Sequence, residues 1–306
     1  MSEVVVLGVF VADTAYRAER QPRMGETIMG RGFALGPGGK GSNQAVAAAR
    51  AGARTTMVTK LGRDTFGDMA MATWETAGVV PLVERGETPT GAAYIFLEDA
   101  TGDNAIIVYP GSAGEIDAAF VQARADAIRG ATVFVTQLEQ PMEAAMAALR
   151  LAREGGAATV LNPAPAAALP DGMLALCDYV TPNETEAEAV TGLPVATVDE
   201  ARAAAARLLE MGVARAAILT LGERGALYHA ADGTSELVPA FRVGAVVETT
   251  GAGDAFNGGF AAALAGGATP LDAVRFGCAT ASISVTRAGT APAMPSRPEI
   301  DALLSA

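Results

Sequence analysis

Short apolar runs alternate with amphipathic stretches along most of the chain. Six runs have the length and composition of buried strands: residues 4–10, 55–61, 131–137, 158–161, 179–181 and 216–221. Between them, four stretches are predicted to be helices: residues 42–51, 141–154, 197–211 and 271–286. Ser42 stands where an N-cap is expected, and Gly155 follows the second helix directly. This alternation predicts an α/β fold with a mostly parallel sheet covered on both faces.

Two regions interrupt the alternation. Residues 11–35 are long, mixed and polar, and residues 91–97 and 105–109 look like the arms of a hairpin. We expect antiparallel strands that stand off the main sheet as a lid, formed by about residues 11–37 and 89–110. Because no linker, low-complexity tract or fixed-period repeat divides the sequence, we expect residues 1–306 to form a single domain.

Composition narrows the class of protein. Half of the 306 residues are hydrophobic, the formal net charge is −12, and no basic run exceeds two residues, which argues against a nucleic-acid partner. Cys177 and Cys278 lack metal-binding spacing and favour a reducing compartment. The N-terminus lacks the basic region of a signal peptide, and the charge-free stretch 255–271 contains four glycines. We therefore expect a cytoplasmic protein without a membrane partner.

The chain has a single histidine, His229, in a segment that resembles a strand ending at a turn. A Ser-His-Asp hydrolase, a histidine-ligated metal enzyme or a histidine general base would have to depend on this one residue. Carboxylates are therefore the expected acid–base groups.

The strongest candidate for chemistry is the segment 249–258, Thr-Thr-Gly-Ala-Gly-Asp-Ala-Phe-Asn-Gly, which leads into an apolar helix-forming run. The first N–H groups of a helix lack intrahelical partners, so a turn of this kind attracts anions. Asp254 could take a proton from a hydroxyl while the neighbouring amides stabilise the charge on a transferring phosphoryl group. The structural alternative is an Asp N-cap after a glycine turn. Both interpretations stay open on this segment alone.

A second glycine cluster covers residues 36–44, Gly-Pro-Gly-Gly-Lys-Gly-Ser-Asn-Gln. It matches the dinucleotide-binding spacing G-x-G-x-x-G, but no strand is predicted directly before it, and a P-loop would need Ser or Thr after Lys40. What remains is a glycine loop that opens a helix, with Lys40 and Asn43 as hydrogen-bond donors toward ligand oxygens. The alternative is a tight turn with no ligand.

Polar residues also follow several predicted strands. Asn183 and Glu186 come after one of them, and Glu139 and Asp13 come after two others. Ligands bind at the carboxyl ends of strands in open α/β sheets, so these side chains are expected to converge on one crevice. Asn183 and Glu186 could hold a hydrated Mg²⁺, although the same spacing fits an Asn cap with a capping-box Glu, which is the favoured interpretation on spacing alone.

Both glycine segments resemble the signatures of the ribokinase (PfkB-type) family of carbohydrate kinases. Further similarity lies at residues 137–139, 161–165, 181–186 and 220–222, in the same order along the whole chain. The resemblance implies a ribokinase-like three-layer α/β sandwich with a small β-sheet lid. It also implies ATP-dependent phosphorylation of a primary hydroxyl of a sugar, with conversion of D-ribose to D-ribose 5-phosphate expected first.

The resemblance also implies roles for individual residues. Asp254 would be the general base, and the anion hole would be formed by Gly251, Ala252 and Gly253. The sugar would be bound by Asp254 together with Asp13, Gly39, Lys40, Asn43 and Glu139. ATP and its Mg²⁺ would lie near Asn183, Glu186, Thr220, Gly222, Gly225, Gly253 and Cys278. A monovalent cation, often K⁺, would be held largely by carbonyls around Glu248, Thr250, Ser284, Arg287, Gly289 and Ala293. The lid would pair two subunits in a homodimer.

Three positions depart from the family pattern. Val11 replaces an Asn that would bond the sugar, which makes deoxyribose, another pentose or a nucleoside an alternative substrate. Glu248 replaces an Asp and Ala293 replaces a hydroxyl side chain, and both lie at the expected cation site. A catalytically silent sugar- or nucleotide-binding protein is a more distant alternative, and a dinucleotide-dependent oxidoreductase is the most distant.

Overall fold

A computed structural model describes residues 3–306 of the chain. Its strands are β1 Glu3–Leu7, β2 Val11–Ala18, β3 Gly32–Gly38, β4 Arg54–Gly62, β5 Val80–Gly86, β6 Thr90–Glu98, β7 Asn104–Gly111, β8 Val133–Thr136, β9 Ala158–Leu161, β10 Tyr179–Val180, β11 Ala216–Thr220, β12 Ala226–Ala230 and β13 Ser235–Val238.

The helices are α1 Lys40–Arg50, α2 Thr65–Ala77, α3 Ala118–Gln122, α4 Ala125–Arg129, α5 Met142–Glu154, α6 Glu184–Thr191, α7 Val198–Glu210, α8 Ala252–Ala265, α9 Pro270–Ser284 and α10 Arg297–Leu304. Short 3₁₀ turns occupy Ser112–Glu115, Leu174–Leu176, Gly222–Arg224 and Ala291–Ala293. No helix in the described part of the chain is long and apolar enough to cross a lipid bilayer.

The main sheet has nine strands in the order β13-β12-β11-β10-β9-β8-β1-β4-β5. All neighbours from β11 to β5 pair in parallel, whereas β12 pairs antiparallel with both β11 and β13. Parallel neighbours need long crossover connections to return to the same edge of the sheet, and most of these connections contain helices. The mostly parallel α/β sheet expected from the sequence is confirmed.

Two hydrophobic cores cover the two faces of this sheet. Successive side chains of β1 alternate between them: Val4 and Val6 pack into one cluster, and Val5 and Leu7 pack into the other. The first cluster includes residues of α1, α2, α8 and α9, whereas the second includes residues of α3, α4, α5 and α7. Because both faces are apolar, the central strands read as continuous hydrophobic runs in the sequence, and the fold has three layers.

A second, four-stranded sheet has the order β3-β2-β6-β7. Its inner pair, β2 and β6, is parallel, and both outer pairs are antiparallel. These strands cover residues 11–18, 32–38, 90–98 and 104–111, the two regions that interrupt the αβ alternation. The second sheet leads directly into α1, since β3 ends at Gly38 and the helix begins at Lys40.

Three local expectations were wrong. Ser42 is not a helix cap, because α1 begins two residues earlier with Gly39 as its N-cap, and the Ser42 hydroxyl instead accepts a hydrogen bond from the Trp74 indole. A strand does precede the glycine cluster, but β3 belongs to the small sheet and pairs antiparallel with β2, so the dinucleotide-binding context is still lacking. Residues 220–225 resemble in sequence the end of a strand just before a helix, but they form a 3₁₀ turn that leads into β12.

Candidate active site

One cavity of about 940 Å³ opens at the carboxyl ends of the parallel strands. Asn162 and Thr181, which follow β9 and β10, line it together with Thr220 at the end of β11 and with the first turn of α8. Carboxyl ends of parallel strands point to a common edge, so residues far apart in sequence meet there. This geometry explains why polar residues follow so many of the predicted strands.

The first turn of α8 has free backbone donors. Gly251 is the N-cap, with a φ of 81° that glycine adopts without strain. The backbone amides of Gly253 and Asp254 make no hydrogen bond to any residue in the described range 3–306. A Cβ on Gly253 would meet no atom within 4 Å, so the space beside this turn is open. The turn is therefore a site where a helix N-terminus can bind an anion.

The Asp254 carboxylate lies beside these amides and is only 7% exposed. Its Oδ2 accepts a hydrogen bond from Asn43 Nδ2 at 3.0 Å, and its Oδ1 accepts one from Gln44 Nε2 at 2.9 Å. Burial raises the pKa of Asp254, while Lys40, Asn43 and Gln44 oppose the rise. The structural alternative of an Asp N-cap is wrong, because Asp254 is the third residue of the helix and its side chain bonds to α1.

The N-terminus of α1 approaches the same point. Gly39 has a φ of 86°, and a Cβ there would lie 2.6 Å from the Val9 carbonyl oxygen, so this position requires glycine. The Lys40 backbone amide donates to Glu139 Oε2 at 2.8 Å. Burial lowers the pKa of Lys40, but Asp254, Glu139 and Glu186 raise it by more, so the ammonium stays charged among three carboxylates.

Two more carboxyl groups of this cluster have strongly raised pKa values. Burial raises the pKa of Glu139 to about 7, against the opposing effect of Lys40. Burial also raises the pKa of Asp13 on β2 to about 6, with further contributions from Asp254 and Glu248. Perturbed carboxyl groups that meet in one cleft are characteristic of sites of function. The structure thus brings together the residues expected at a sugar site, Asp13, Gly39, Lys40, Asn43, Glu139 and Asp254.

The residues expected near a nucleotide line the same cavity: Asn183, Glu186, Thr220, Gly222, Gly225, Gly253 and Cys278. Asn183 caps α6 and forms a capping box with Glu186, as favoured from spacing. Both cysteines are free and buried. Sequence reasoning missed the part of the cavity wall that the loop 240–246 forms with Phe241 and Val243. Its lack of regular secondary structure left no periodic signal.

The residues expected at a monovalent-cation site lie on two loops that meet behind the α8 turn. The Gly289 amide donates to Glu248 Oε2 at 2.7 Å, and the Glu248 amide donates to the Val285 carbonyl at 3.2 Å. Arg287 instead pairs its guanidinium with Glu299. The other expected residues lie on or beside these loops: Thr250, Ser284 and Ala293. Within residues 3–306 no group of three or more His, Cys, Asp or Glu is arranged to hold a metal ion.

Sequence reasoning also missed a set of buried amide side chains. Gln44, Gln137, Asn162 and Asn257 are each at least nine-tenths buried and hydrogen-bonded to one another or to the α8 turn. Buried polar groups of this kind need partners, because an unpaired one costs about 1–3 kcal/mol. The available signal was the presence of amides at the start of two otherwise apolar helices.

Known proteins match nearly the whole chain. The ribokinase of Schizosaccharomyces pombe is 40% identical over 311 residues, which cover 98% of this chain and 97% of the relative. The deoxyribokinase of Salmonella typhi is 37% identical over 306 residues, 99% of each chain. A structure of Arabidopsis thaliana ribokinase complexed with ribose and ATP matches with a TM-score of 0.94 and 29% identity, over 99% of this chain and 98% of that one.

Residues 1–297 match the family described as pfkB family carbohydrate kinase. That span contains both glycine segments, the carboxylate cluster and the strand ends that line the cavity. The chain belongs to the pfkB family of carbohydrate kinases.

Proposed function

We propose that this chain transfers the γ-phosphoryl group of MgATP to the primary hydroxyl of a sugar, converting D-ribose to D-ribose 5-phosphate. The observation that carries the proposal is the α8 turn, where the Asp254 carboxylate lies beside two free backbone amides at the end of one large cavity. The similarity to ribokinases over nearly the full chain supports ribose as the acceptor. The Arabidopsis relative was solved with both ribose and ATP.

In this proposal Asp254 accepts the proton of the attacking hydroxyl. The backbone turn of Gly251, Ala252 and Gly253 stabilises the charge that develops on the phosphoryl group. Phosphoryl transfer depends mainly on positioning and electrostatic stabilisation, so a base, an anion hole and a few cations suffice. Lys40, which is half-buried and interacts with Asp254, would be one of these cations.

The sugar would lie between the small sheet and α1. Asp13 and Glu139 would accept hydrogen bonds from its hydroxyls, while Asn43 and Lys40 would donate to its oxygens. Gly39 leaves room for the ligand to approach the backbone closely. The strands of the small sheet could close over the sugar as a lid, which would exclude water as a competing acceptor.

ATP would extend from the α8 turn toward the loop 240–246. Its phosphates would lie near Asn183, Glu186 and Gly253, with Thr220, Gly222, Gly225 and Cys278 along the rest of the nucleotide. Mg²⁺, held through water by Asn183 and Glu186, would neutralise charge on the phosphates, since it keeps most of its waters. Both side chains line the cavity, which fits this role.

A monovalent cation such as K⁺ would bind behind the anion hole. The loops that carry Glu248 and Gly289 are joined there by a hydrogen bond and offer backbone carbonyls close to the α8 turn. Thr250, Ser284, Arg287 and Ala293 would complete the site mainly through main-chain oxygens. Because Arg287 directs its side chain to Glu299, only its carbonyl is available for this purpose.

One observation favours a second acceptor, 2-deoxyribose. Val11 is buried on β2 and lies on the same face as Asp13, since residues two apart on a strand point the same way. A valine cannot bond a sugar hydroxyl, so the site could accept a sugar that lacks one. The similarity to deoxyribokinase is consistent with this alternative.

We also propose that two copies of the chain form a homodimer through the outward face of the small sheet. This apolar lid face consists of Tyr16, Phe33, Leu35, Tyr94, Ile107 and Tyr109, which lie on one side of the four strands by their register. All but Tyr94 are exposed, and exposed apolar patches of this kind favour protein contacts.

A reducing compartment such as the cytoplasm fits the two free cysteines.

The test is ADP release with MgATP and K⁺ across D-ribose, 2-deoxy-D-ribose, other pentoses, hexoses and nucleosides. We expect turnover with ribose, and Asp254→Asn should lower kcat at least about 10²-fold while sugar binding persists. A preference for deoxyribose would identify it as the substrate in place of ribose, and Val11→Asn should then restore selectivity for ribose. Binding without turnover on any acceptor would sink the kinase proposal.

A further inference from the structure

Gln44 is a buried side chain with every polar hydrogen engaged. It is 1% exposed, and its Nε2 donates to Asp254 Oδ1 at 2.9 Å and to Asn162 Oδ1 at 3.0 Å. Its Oε1 accepts a hydrogen bond from Gln137 Nε2. A carboxamide has only two N–H donors, so Gln44 has none left for a ligand. Its bond to Asp254 is therefore part of the protein framework.

The adjacent residue, Asn43, is in a different situation. Its Nδ2 donates to Asp254 Oδ2 at 3.0 Å, but its Oδ1 is buried without a hydrogen-bond partner among the described residues. That oxygen is available to accept a hydrogen bond from a sugar hydroxyl. The two neighbours thus differ, because Asn43 keeps an acceptor for a ligand whereas the side chain of Gln44 is engaged entirely within the protein.

The support behind Gln44 extends across the sheet. Asn162 Nδ2 donates to the Thr181 carbonyl at 3.0 Å, and the Thr181 hydroxyl donates to Asn257 Oδ1 at 2.6 Å. Asn257 Nδ2 in turn donates to the Gly253 carbonyl at 2.8 Å. The Asp254 carboxylate and the backbone of its turn are therefore both tied to the rigid ends of β9 and β10.

We propose that Gln44 is a positioning residue that fixes the orientation of the Asp254 carboxylate and favours its ionised form. The inference rests on the proposed function, since it takes Asp254 as the base. A carboxylate held by one donor on each oxygen cannot rotate freely, and a base that is misplaced by about 1 Å can lose about 10²-fold in rate. A hydrogen bond to a carboxylate also favours the charged form.

Other charged groups face Asp254 and set the background for any titration. Lys40 favours its ionised form, whereas Asp13, Glu139 and Glu186 each interact with it as like charges. All of these stay in place when Gln44 is changed. A purely structural role for Gln44 would lower stability without moving the protonation of Asp254, which makes the pH profile the deciding measurement.

The test compares Gln44→Met with Gln140→Met. Both glutamines are buried and donate two hydrogen bonds, but Gln140 bonds to Thr136 and to the Gln137 carbonyl and does not contact Asp254. Gln44→Met should lower kcat about 10–100-fold with KM values within about threefold, because the sugar contacts are untouched. The acid limb of kcat/KM should move up by about one pH unit, since the base loses a donor to its ionised form.

Gln140→Met should keep the wild-type limb and kcat within about threefold. Equal effects in the two variants, or an unchanged acid limb in Gln44→Met, would overturn the inference. If Gln44→Met does not fold, Gln44→Glu keeps the shape and places a second carboxyl beside Asp254. Two adjacent carboxyl groups share one proton, so the acid limb of the kcat/KM profile should then move to still higher pH. A wild-type profile in Gln44→Glu would equally overturn the inference.

A readout without substrate separates this inference from the proposed function. Carbon-13 NMR of aspartate carboxyl groups, with Asp254→Asn to assign the signal, reports the titration of Asp254 directly. A higher pKa of Asp254 in Gln44→Met, but not in Gln140→Met, supports the inference even if no sugar is phosphorylated. An unchanged titration refutes it even if the wild-type protein is an active kinase.

Discussion

The contact between α1 and α8 has no room for an added methyl group at Gly258. A Cβ there would lie 2.4 Å from the Ala47 Cβ, 2.6 Å from the Gln44 carbonyl oxygen and 2.8 Å from the Ala48 nitrogen. Carbon atoms in contact normally lie about 3.5–4.0 Å apart. Gly258→Ala must therefore push the two helices apart by on the order of 1 Å.

This displacement has a stability cost and a functional cost. Overpacking of a well-packed core costs about 1–3 kcal/mol, which lowers Tm by roughly 1.5–5 °C in a protein of this size. Asp254 lies one turn before Gly258 on the same face of α8. Its bonds to Asn43 and Gln44, now 3.0 and 2.9 Å, would lengthen beyond hydrogen-bond range. We expect kcat to fall about 10²-fold.

The assay combines thermal unfolding, followed by the fluorescence of the single tryptophan, with ADP release under saturating substrates. Gly266→Ala is the matched control, because Gly266 lies at the exposed end of the same helix with an ordinary helical φ of −75°. That variant should be neutral or stabilised by about 0.4–1 kcal/mol. A Gly258→Ala protein with wild-type Tm and kcat would refute the claim that this contact holds Asp254 in place.

Three further predictions concern other parts of the structure. Burial raises the pKa of Glu139 to about 7 from 4.5, so this group's contribution to the free energy of unfolding falls as pH rises between these values. In urea unfolding, Glu139→Gln should raise the free energy of unfolding by about 1–2 kcal/mol at pH 8 and leave it unchanged near pH 4. Trp74→Phe should cost about 1–3 kcal/mol in thermal unfolding followed by circular dichroism, because the indole N–H bonds to Ser42 in the core at 2.9 Å. Ile107→Asp on the apolar lid face should give monomers in sedimentation velocity, whereas Val80→Asp, also at an exposed strand position outside that face, should leave the dimer intact.

The central sheet was predictable because its strands and helices leave local patterns in the sequence. Strands buried on both faces are apolar at every position, and glycine and capping residues mark the helices between them. The small sheet was harder to predict, since β2 and β3 are half exposed and β2 pairs with β6, about eighty residues away. Their alternation is weak, so residues 19–31 and the two strands were read as one mixed region.

The candidate site was predictable where the backbone itself carries the chemistry. The turns at Gly39 and Gly251 have positive φ values, which glycine adopts without strain, so the glycines in the sequence indicate where such turns lie. The buried hydrogen bonds that hold Asp254 could not be predicted from the sequence, because the bond from Gln44 to Asp254 joins residues 210 apart in the chain. Only the packed fold shows that the Asn43 side chain keeps an acceptor without a partner among the described residues, whereas the polar groups of the Gln44 side chain are all hydrogen-bonded within the protein.

The charge of the site raises a physical problem that the fold resolves without many cations. A chain of net charge −12 must bind a polyanionic nucleotide next to a cluster of carboxylates. Three helices, α1, α6 and α8, begin at the cavity, with Gly39, Asn183 and Gly251 as their N-caps. Each N-terminus carries roughly half a positive charge on amides that need no counterion and no side-chain entropy. If these dipoles supply most of the attraction, nucleotide affinity should depend only weakly on salt, because buried dipoles are screened less than surface charges. A steep loss of affinity between 50 and 500 mM salt would instead assign the attraction to exposed basic side chains.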